Sequence, residues 1–320
     1  MPQKILIDAD PGIVDALVIL AALADPALEV LAITPCSGTV NGLQAMRNLQ
    51  YLIGLLDPLR HPRVGLSDER SAPGDQMPPG LPHPQVLNGR FGLGETEPLV
   101  PDLVHRRESP RLIVDLVREH PGELRILCLG PLTNIAAAFE LDPELPVLLN
   151  GLICLGGALF SGGDVTAAAE FNIWSDPQAA RSVLRSPVGK IVIPLEIMHG
   201  PGLTFEDIDR LTGLIPSTPV GEFAAALLQY AARTSRQFLP YEEVHLPAAT
   251  ALAIAAGVAR LETQQAAVDV ETSGEITAGA VIIDRRRFSQ TQVSAELVTG
   301  LDHAAVLDHF CRGIRRAAVR

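Results

Sequence analysis

Carboxylates gather where the first strand-like run gives out. Lys4 to Asp8 is a short β-rich segment, and the chain continues Asp8-Ala9-Asp10-Pro11-Gly12-Ile13-Val14-Asp15. Asp8 and Asp10 stand two apart, so on an extended chain they share a face. Asp15 falls in the first turn of the helix that should follow. Oxygen donors from a strand end and a helix start can converge on one hard cation such as Ca²⁺ or Mg²⁺. The same residues also suit a Pro-Gly turn followed by an acidic first helical turn, which the helix dipole favours. The spacing alone does not choose between the two.

Two further clusters offer polar groups at strand ends. Gly130-Pro131-Leu132-Thr133-Asn134 follows the apolar run Leu124 to Leu129 and presents backbone oxygens, or simply a capped helix start. Ala169-Glu170-Phe171-Asn172-Ile173-Trp174-Ser175-Asp176-Pro177 follows the Gly156-Gly157 turn. Glu170 and Asn172, two apart, are placed either to take sugar hydroxyls together or to lie in a solvated loop.

The elements that must position these groups read as alternating strands and helices. Asp15 to Ala24 has a helical pattern, Leu28 to Thr34 a strand pattern, and Gly42 to Leu56 a second helix. Such alternation implies βαβ units and a parallel sheet. Leu124 to Leu129 and Gly151 to Gly156 lack polar alternation, as strands buried on both faces do. Leu132 to Phe139 and Asp176 to Ser186 read as helices, the latter leading into a strand at Lys190 to Pro194. Pro219 to Phe238 is the longest helical pattern, and Ala251 to Ala256 starts another. Past Thr263 the chain turns β-rich, at Ala266 to Glu271 and Ala278 to Ile283, and a terminal helix begins at Ala304. The Pro- and Gly-rich stretch from Asp57 to Ser109 reads as a functional loop. The expectation is one α/β domain over residues 1–320: a mostly parallel sheet, helices on both faces and a decorated C-terminal third. In such sheets ligands bind beyond the carboxyl ends of the strands, which is where all three clusters lie.

Composition removes other classes. The 320 residues carry a formal net charge of −12, which disfavours a nucleic-acid polymer as partner, since phosphate-backbone affinity comes from clustered Lys and Arg. Apolar stretches such as Ala16 to Ala24 fall short of the ~20 residues of a spanning helix, so no membrane association is expected. The N-terminal residues show no signal-peptide pattern, and a cytoplasmic protein is expected. Cys36, Cys128, Cys154 and Cys311 are widely spaced and read as free thiols. The short basic runs at Asp284 to Arg287 and at Arg312, Arg315, Arg316 and Arg320 read as solvated faces or subunit contacts.

The three clusters, in this order, resemble the nucleoside hydrolase family, the inosine-uridine preferring N-ribohydrolases. The family's Asp-x-Asp-Pro-Gly-x-Asp-Asp signature is matched by Asp8 to Asp15 at every fixed position but Val14, and agreement continues through Gly130 to Asn134, Gly156-Gly157, Ala169 to Asn172 and Asp176-Pro177. The resemblance implies hydrolysis of the N-glycosidic bond of a ribonucleoside to ribose and free base, with a Ca²⁺-held water as nucleophile. It implies that Asp10, Asp15 and the main-chain oxygen of Thr133 hold the ion and that Asp10 takes the water's proton. Glu170 and Asn172 would hold ribose hydroxyls, and His245 would protonate the leaving base. His199 also stands where the family has a histidine, though a structural role suits it equally. The partner would be a small nucleoside, and the assembly a homodimer or homotetramer.

The departures from the family lie in the site. Val14 replaces a ribose-binding Asp, and Leu246, in His245-Leu246-Pro247, replaces a metal-binding Asp; neither can ligate or accept a hydrogen bond. Thr39 stands where the family has Asn, Asp164 stands for Asn after Gly163, and Asn88 stands for the His of the loop Asn88 to Gly94. Glu242, Glu243 or Asp164 could compensate. Two alternatives stand beside the hydrolase: a catalytically degenerate homologue that binds a nucleoside-like ligand or a protein, and a phosphoryl-transfer enzyme using Asp8 as the haloacid-dehalogenase-like Asp-x-Asp pattern does.

Overall fold

The computed structural model describes residues 2–67, 72–101, 107–286 and 293–320. The chain opens with β1 (Gln3–Ala9), α1 (Ile13–Leu23), β2 (Leu28–Pro35), α2 (Gly42–Leu56) and the short β3 (Arg63–Val64). After α3 (Pro84–Asn88) come α4 (Ser109–Glu119), β4 (Arg125–Cys128), α5 (Thr133–Leu141), α6 (Leu145–Leu148) and β5 (Gly151–Leu155). Next are α7 (Phe171–Ser175), α8 (Pro177–Arg185), β6 (Lys190–Ile193), α9 (Leu195–Met198), β7 (Leu203–Thr204), α10 (Phe205–Leu214), α11 (Pro219–Phe238) and β8 (Glu243–Val244). The last third holds α12 (Pro247–Ala255), β9 (Leu261–Ala266), β10 (Val268–Val270), β11 (Val281–Ile283), β12 (Ala295–Leu301) and α13 (His303–Ala317).

Eight strands form the central sheet in the order β3-β2-β1-β4-β5-β6-β12-β9. Every neighbouring pair is parallel except β12 and β9. β1 thus sits between β2 and β4, where the strand order reverses, and crevices form at such points. Side chains of β1 alternate between two cores. Ile5, Ile7 and Ala9 pack with α1, α11, α12 and α13, while Leu6 packs with α4, α5 and α8 on the other face. Both faces of the sheet are covered, which is why its strands read as unbroken apolar runs.

The decorated last third differs in detail from its sequence pattern. The run expected as a strand from Ala266 to Glu271 breaks at Ala267. β9 joins the main sheet, whereas β10 turns away to pair with β11. β12 shows little strand pattern because Gly300 interrupts it, yet it lies between β6 and β9 and buries Leu297 and Val298 completely. α10 opens on a capping box, Thr204 with Asp207, that the apolar pattern does not reveal. The Pro- and Gly-rich stretch carries β3, a 3₁₀ turn at Pro73–Gln76 and α3. Parts of it, and Arg287 of the basic run, lie outside the described residues. Among the described residues no helix is long and apolar enough to cross a membrane.

Candidate active site

The carboxyl end of β1 delivers two carboxylates into the crevice. Asp8 is fully buried beside Cys128 of β4. Its Oδ1 accepts from Thr34 Oγ1 (2.5 Å) and Asn134 Nδ2 (2.8 Å), while Oδ2 is buried with no hydrogen-bond partner. Burial pushes this carboxyl up to about 7 despite those donors. Asp10, just past the strand, accepts the Thr39 backbone N–H on Oδ2 at 2.5 Å. Burial raises it to about 6.

Two glycines make room for Asp10. A Cβ on Gly130 would stand 2.7 Å from Cys36 Sγ and 3.1 Å from Asp10 Cγ, and closer still to Asp10 Oδ1. A Cβ on Gly38 would stand 2.6 Å from Asp10 Cγ. The carboxylate therefore lies in a cradle that any side chain at either position would fill.

Asp15 lies in the first turn of α1. It keeps part of its surface open, yet burial among protein atoms, with the Asp10 charge second, pushes its carboxyl well above the usual range. No Lys or Arg forms an ion pair with Asp8, Asp10 or Asp15 among the described residues. Asn88 meets the same turn: its Oδ1 accepts the Ile13 backbone N–H at 3.0 Å and its Nδ2 donates to Pro84 O at 3.2 Å. Its amide oxygen thus serves the start of α1, whose own cap residue is Gly12, while its amide nitrogen is engaged within α3. Val14 is partly buried and packs on the hydrophobic core.

Asparagines knit the strand ends together. Asn134 of α5 also donates to Pro35 O at 2.9 Å. Asn172 of α7 donates Nδ2 to Leu129 O (2.9 Å) and Leu155 O (3.2 Å), spanning the ends of β4 and β5. Thr133, the first residue of α5, donates Oγ1 to Asp176 Oδ2 at 2.8 Å. Glu170 caps α7: Oε1 accepts from Asn172 N (3.0 Å), and Oε2 from Gly157 N (2.9 Å) and Ile173 N (3.2 Å). Burial first, and Asp164 second, push its carboxyl up to about 7. Asp164 is exposed at its surface but crowded by protein on its inner side, and that crowding raises it to about 6.

His199, Tyr241 and His245 form an aromatic cluster. The His245 ring stacks on His199 at 5.3 Å and meets Tyr241 edge-on at 4.7 Å. Its Nδ1 lies 2.9 Å from Gly200 O, which fixes the proton there, and Nε2 is buried without a partner. Burial, then the neighbouring His245, lowers His199. Glu243 stands 3.9 Å from His245 Nδ1 and takes the Gly202 N–H at 3.0 Å. Glu242 is exposed. Leu246 is buried in the core at the start of α12.

The donor set suits a hard cation. The charge of Asp10 raises Asp15, a repulsion that a bound divalent ion would remove. The set is small, because no group of three His, Cys, Asp or Glu that could hold a metal occurs among the described residues. Backbone oxygen and water would complete the six to eight ligands of Ca²⁺.

Tyr241 and Glu196 are two residues near this site that sequence reasoning passed over. Glu196 follows Pro194-Leu195 at the end of β6, so the carboxyl-edge rule that singled out Asp10 also points to it. Tyr241, four residues before His245, carries no such signal.

The family model for inosine-uridine preferring nucleoside hydrolases matches residues 5–308. The inosine-uridine preferring nucleoside hydrolase of Leishmania major is 29% identical over 306 residues, covering 93% of this chain and 94% of that one. Uridine nucleosidase 1 of Arabidopsis thaliana is 36% identical over 211 residues, 65% of this chain, and the match spans only 61% of that relative's length. Among solved structures, the purine-preferring ribonucleoside hydrolase of Gardnerella vaginalis superposes with a TM-score of 0.87 at 27% identity, covering 99% of this chain and 100% of that one. The plant nucleoside hydrolase PpNRh1 superposes equally well, with a TM-score of 0.87 at 27% identity over 98% of this chain and 99% of that one.

Proposed function

Because the chain belongs to the inosine-uridine preferring nucleoside hydrolase family, we propose that it cleaves the N-glycosidic bond of ribonucleosides, releasing ribose and the free base. The observation that carries this reading is the cradle around Asp10. A buried carboxylate that forms no ion pair among the described residues is held by Thr39 between two glycines at the point where the sheet order reverses. Asp10, Asp15 and the Thr133 main-chain oxygen would hold Ca²⁺, and bound there the ion would lower the pKa of a coordinated water.

Asp10 then acts as general base. The Thr39 N–H fixes Oδ2, which leaves Oδ1, over Gly130, to take the proton of the attacking water. Asp8 backs the crevice with a second carboxyl, tied to β2 and α5 by Thr34 and Asn134. As the glycosidic bond breaks, positive charge develops on the ribose ring. Asp10, Asp15, Asp164 and Glu170 surround it with negative charge. Glu170 and Asn172 take ribose hydroxyls, Glu170 with the lone pairs its three backbone donors leave and Asn172 with its amide oxygen. His245, protonated on Nε2 while Nδ1 donates to Gly200 O, supplies a proton to the departing base.

The two replaced positions weaken rather than remove this arrangement. Leu246 cannot add a third acidic ligand, so the ion is held by fewer charges. Val14 withholds one ribose contact. Release of reducing sugar from a panel of purine and pyrimidine ribonucleosides, in Ca²⁺ and in chelator, tests the reading. Activity should appear on at least one nucleoside, fall in chelator and vanish in Asp10→Ala. A flat panel with folded protein would sink it.

A further inference from the structure

One carboxylate near the site has no part in the chemistry above, yet its hydrogen bonds are unusual. Glu196 lies on α9, directly after the carboxyl end of β6. Its Oε1 accepts three consecutive backbone N–H groups, Leu159 (2.9 Å), Phe160 (2.5 Å) and Ser161 (2.6 Å), and also Ser161 Oγ (3.0 Å). Its Oε2 is buried with no partner. Consecutive N–H groups turned to one point form a concavity that takes an anion. Here the chain supplies that anion itself. Burial pushes Glu196 up, but the Phe160 and Ser161 donors outweigh it and hold the carboxyl below its usual range.

Leu159 packs on the hydrophobic core, and the tip beyond it is held mainly by this grip. Phe160, Ser161 and Gly162 are exposed, and the Arg285 guanidinium lies 5.4 Å from the Phe160 ring. Beyond it the loop is pinched shut. A Cβ on Gly163 would run into the Ala169 backbone, and Val165 N donates to Ala169 O at 3.2 Å. Asp164 lies within that neck, between Gly163 and Val165 and next to Glu170, with the Phe171 backbone N–H also bearing on its carboxylate.

We propose that Glu196 is a positioning residue for riboside binding: by clamping residues 159–161 it holds Asp164 beside Glu170 at the ribose end of the crevice. The ligand in this statement rests on the function proposed above; the clamp does not. Because every donor goes to one oxygen, glutamine keeps the acceptor and alanine removes it. Neutral acceptors bind such donors about half as strongly, so the glutamine variant should recover most of the function and not all.

The test compares Glu196→Ala and Glu196→Gln in the full chain, using the ribonucleoside the parent cleaves best, with amide exchange of residues 159–161 and thermal unfolding measured alongside. In E196A, KM should rise about tenfold or more while kcat changes less than about threefold, as loss of charge-assisted bonds at a binding loop implies. The three amides should exchange at least about tenfold faster, and E196Q should recover most of both. A parent-like KM in E196A, a raised KM with unchanged amide protection, or a glutamine variant as impaired as alanine would each overturn the proposal. If the parent cleaves no ribonucleoside, the hydrolase reading fails, and the exchange data alone then decide the clamp: unchanged protection in E196A refutes it, and faster exchange upholds it.

Discussion

Gly130→Ala is the sharpest probe of the Asp10 cradle. The added Cβ would meet Cys36 Sγ at 2.7 Å and Asp10 Cγ at 3.1 Å, against a comfortable separation of about 3.5–4.0 Å. Carboxylate or thiol must therefore move by roughly 0.5–1 Å, and Asp10 cannot withdraw towards Gly38, where its own atoms already leave no space for a Cβ. Gly130 is absent from the glycines with positive φ, so alanine brings no backbone strain and the effect is one of contact. Overpacking of this kind costs about 1–3 kcal/mol, and displacing a reacting group by about 1 Å costs on the order of 10²-fold in rate. The expected result is a fall in kcat/KM of about 10²-fold and a modest drop in Tm. Gly54→Ala is the matched control, since nothing lies within 4 Å of its Cβ on α2. It should gain about 0.5–1 kcal/mol from helix propensity and keep full activity. Steady-state kinetics and thermal unfolding of the two variants decide the matter. If G130A retains parent kcat/KM while G54A behaves as stated, Asp10 does not act from this cradle.

Three further outcomes follow from the same geometry. Asp8, Asp10 and Glu170 have folded-state values of about 7, 6 and 7, above their ordinary 3.8, 3.8 and 4.5. Their contribution to stability is complete below about pH 4 and is lost as pH rises to about 7. Chelated protein should therefore melt lower at about pH 7.5 than at about pH 5, and millimolar Ca²⁺ should raise Tm more at the higher pH; a Ca²⁺ effect independent of pH would contradict this. Leu246→Asp places a carboxylate at the buried start of α12, and calorimetry should show Ca²⁺ binding at least about tenfold tighter, with the chelated protein destabilised; unchanged affinity would mean that position does not face the ion. His245→Ala should slow ordinary nucleosides by about 10²-fold or more and a p-nitrophenyl riboside far less, because that leaving group needs no proton; equal losses would remove His245 from the acid role.

Much of this was legible in the sequence, for a physical reason. Strands buried on both faces leave unbroken apolar runs, so β1, β2, β4, β5 and β6 stood out, and polar residues at their carboxyl ends marked the crevice. What stayed hidden depended on partners distant in the chain. Asn88 gives no sign that its amide caps α1, 75 residues away. Glu170, chosen as a sugar ligand, also turns out to hold three backbone N–H groups. Glu196 carries no sign in the sequence of the four donors that converge on it. β12 and α10 escaped because Gly300 and a polar capping box mask their periodicity.

The central place of β1 also bears on how the molecule is made. Its strand comes early in the chain but lies inside the sheet, and Asp8 finds Asn134 only across 126 residues of sequence. Thr34, Gly38 and Thr39 can reach Asp8 and Asp10 early, but the Asn134 bond and the Gly130 side of the cradle form only when β4 docks. A nascent chain stalled before that point carries the signature motif and none of its chemistry, so recovery of activity during refolding should report the slow, non-local β1–β4 pairing and lag behind helix formation.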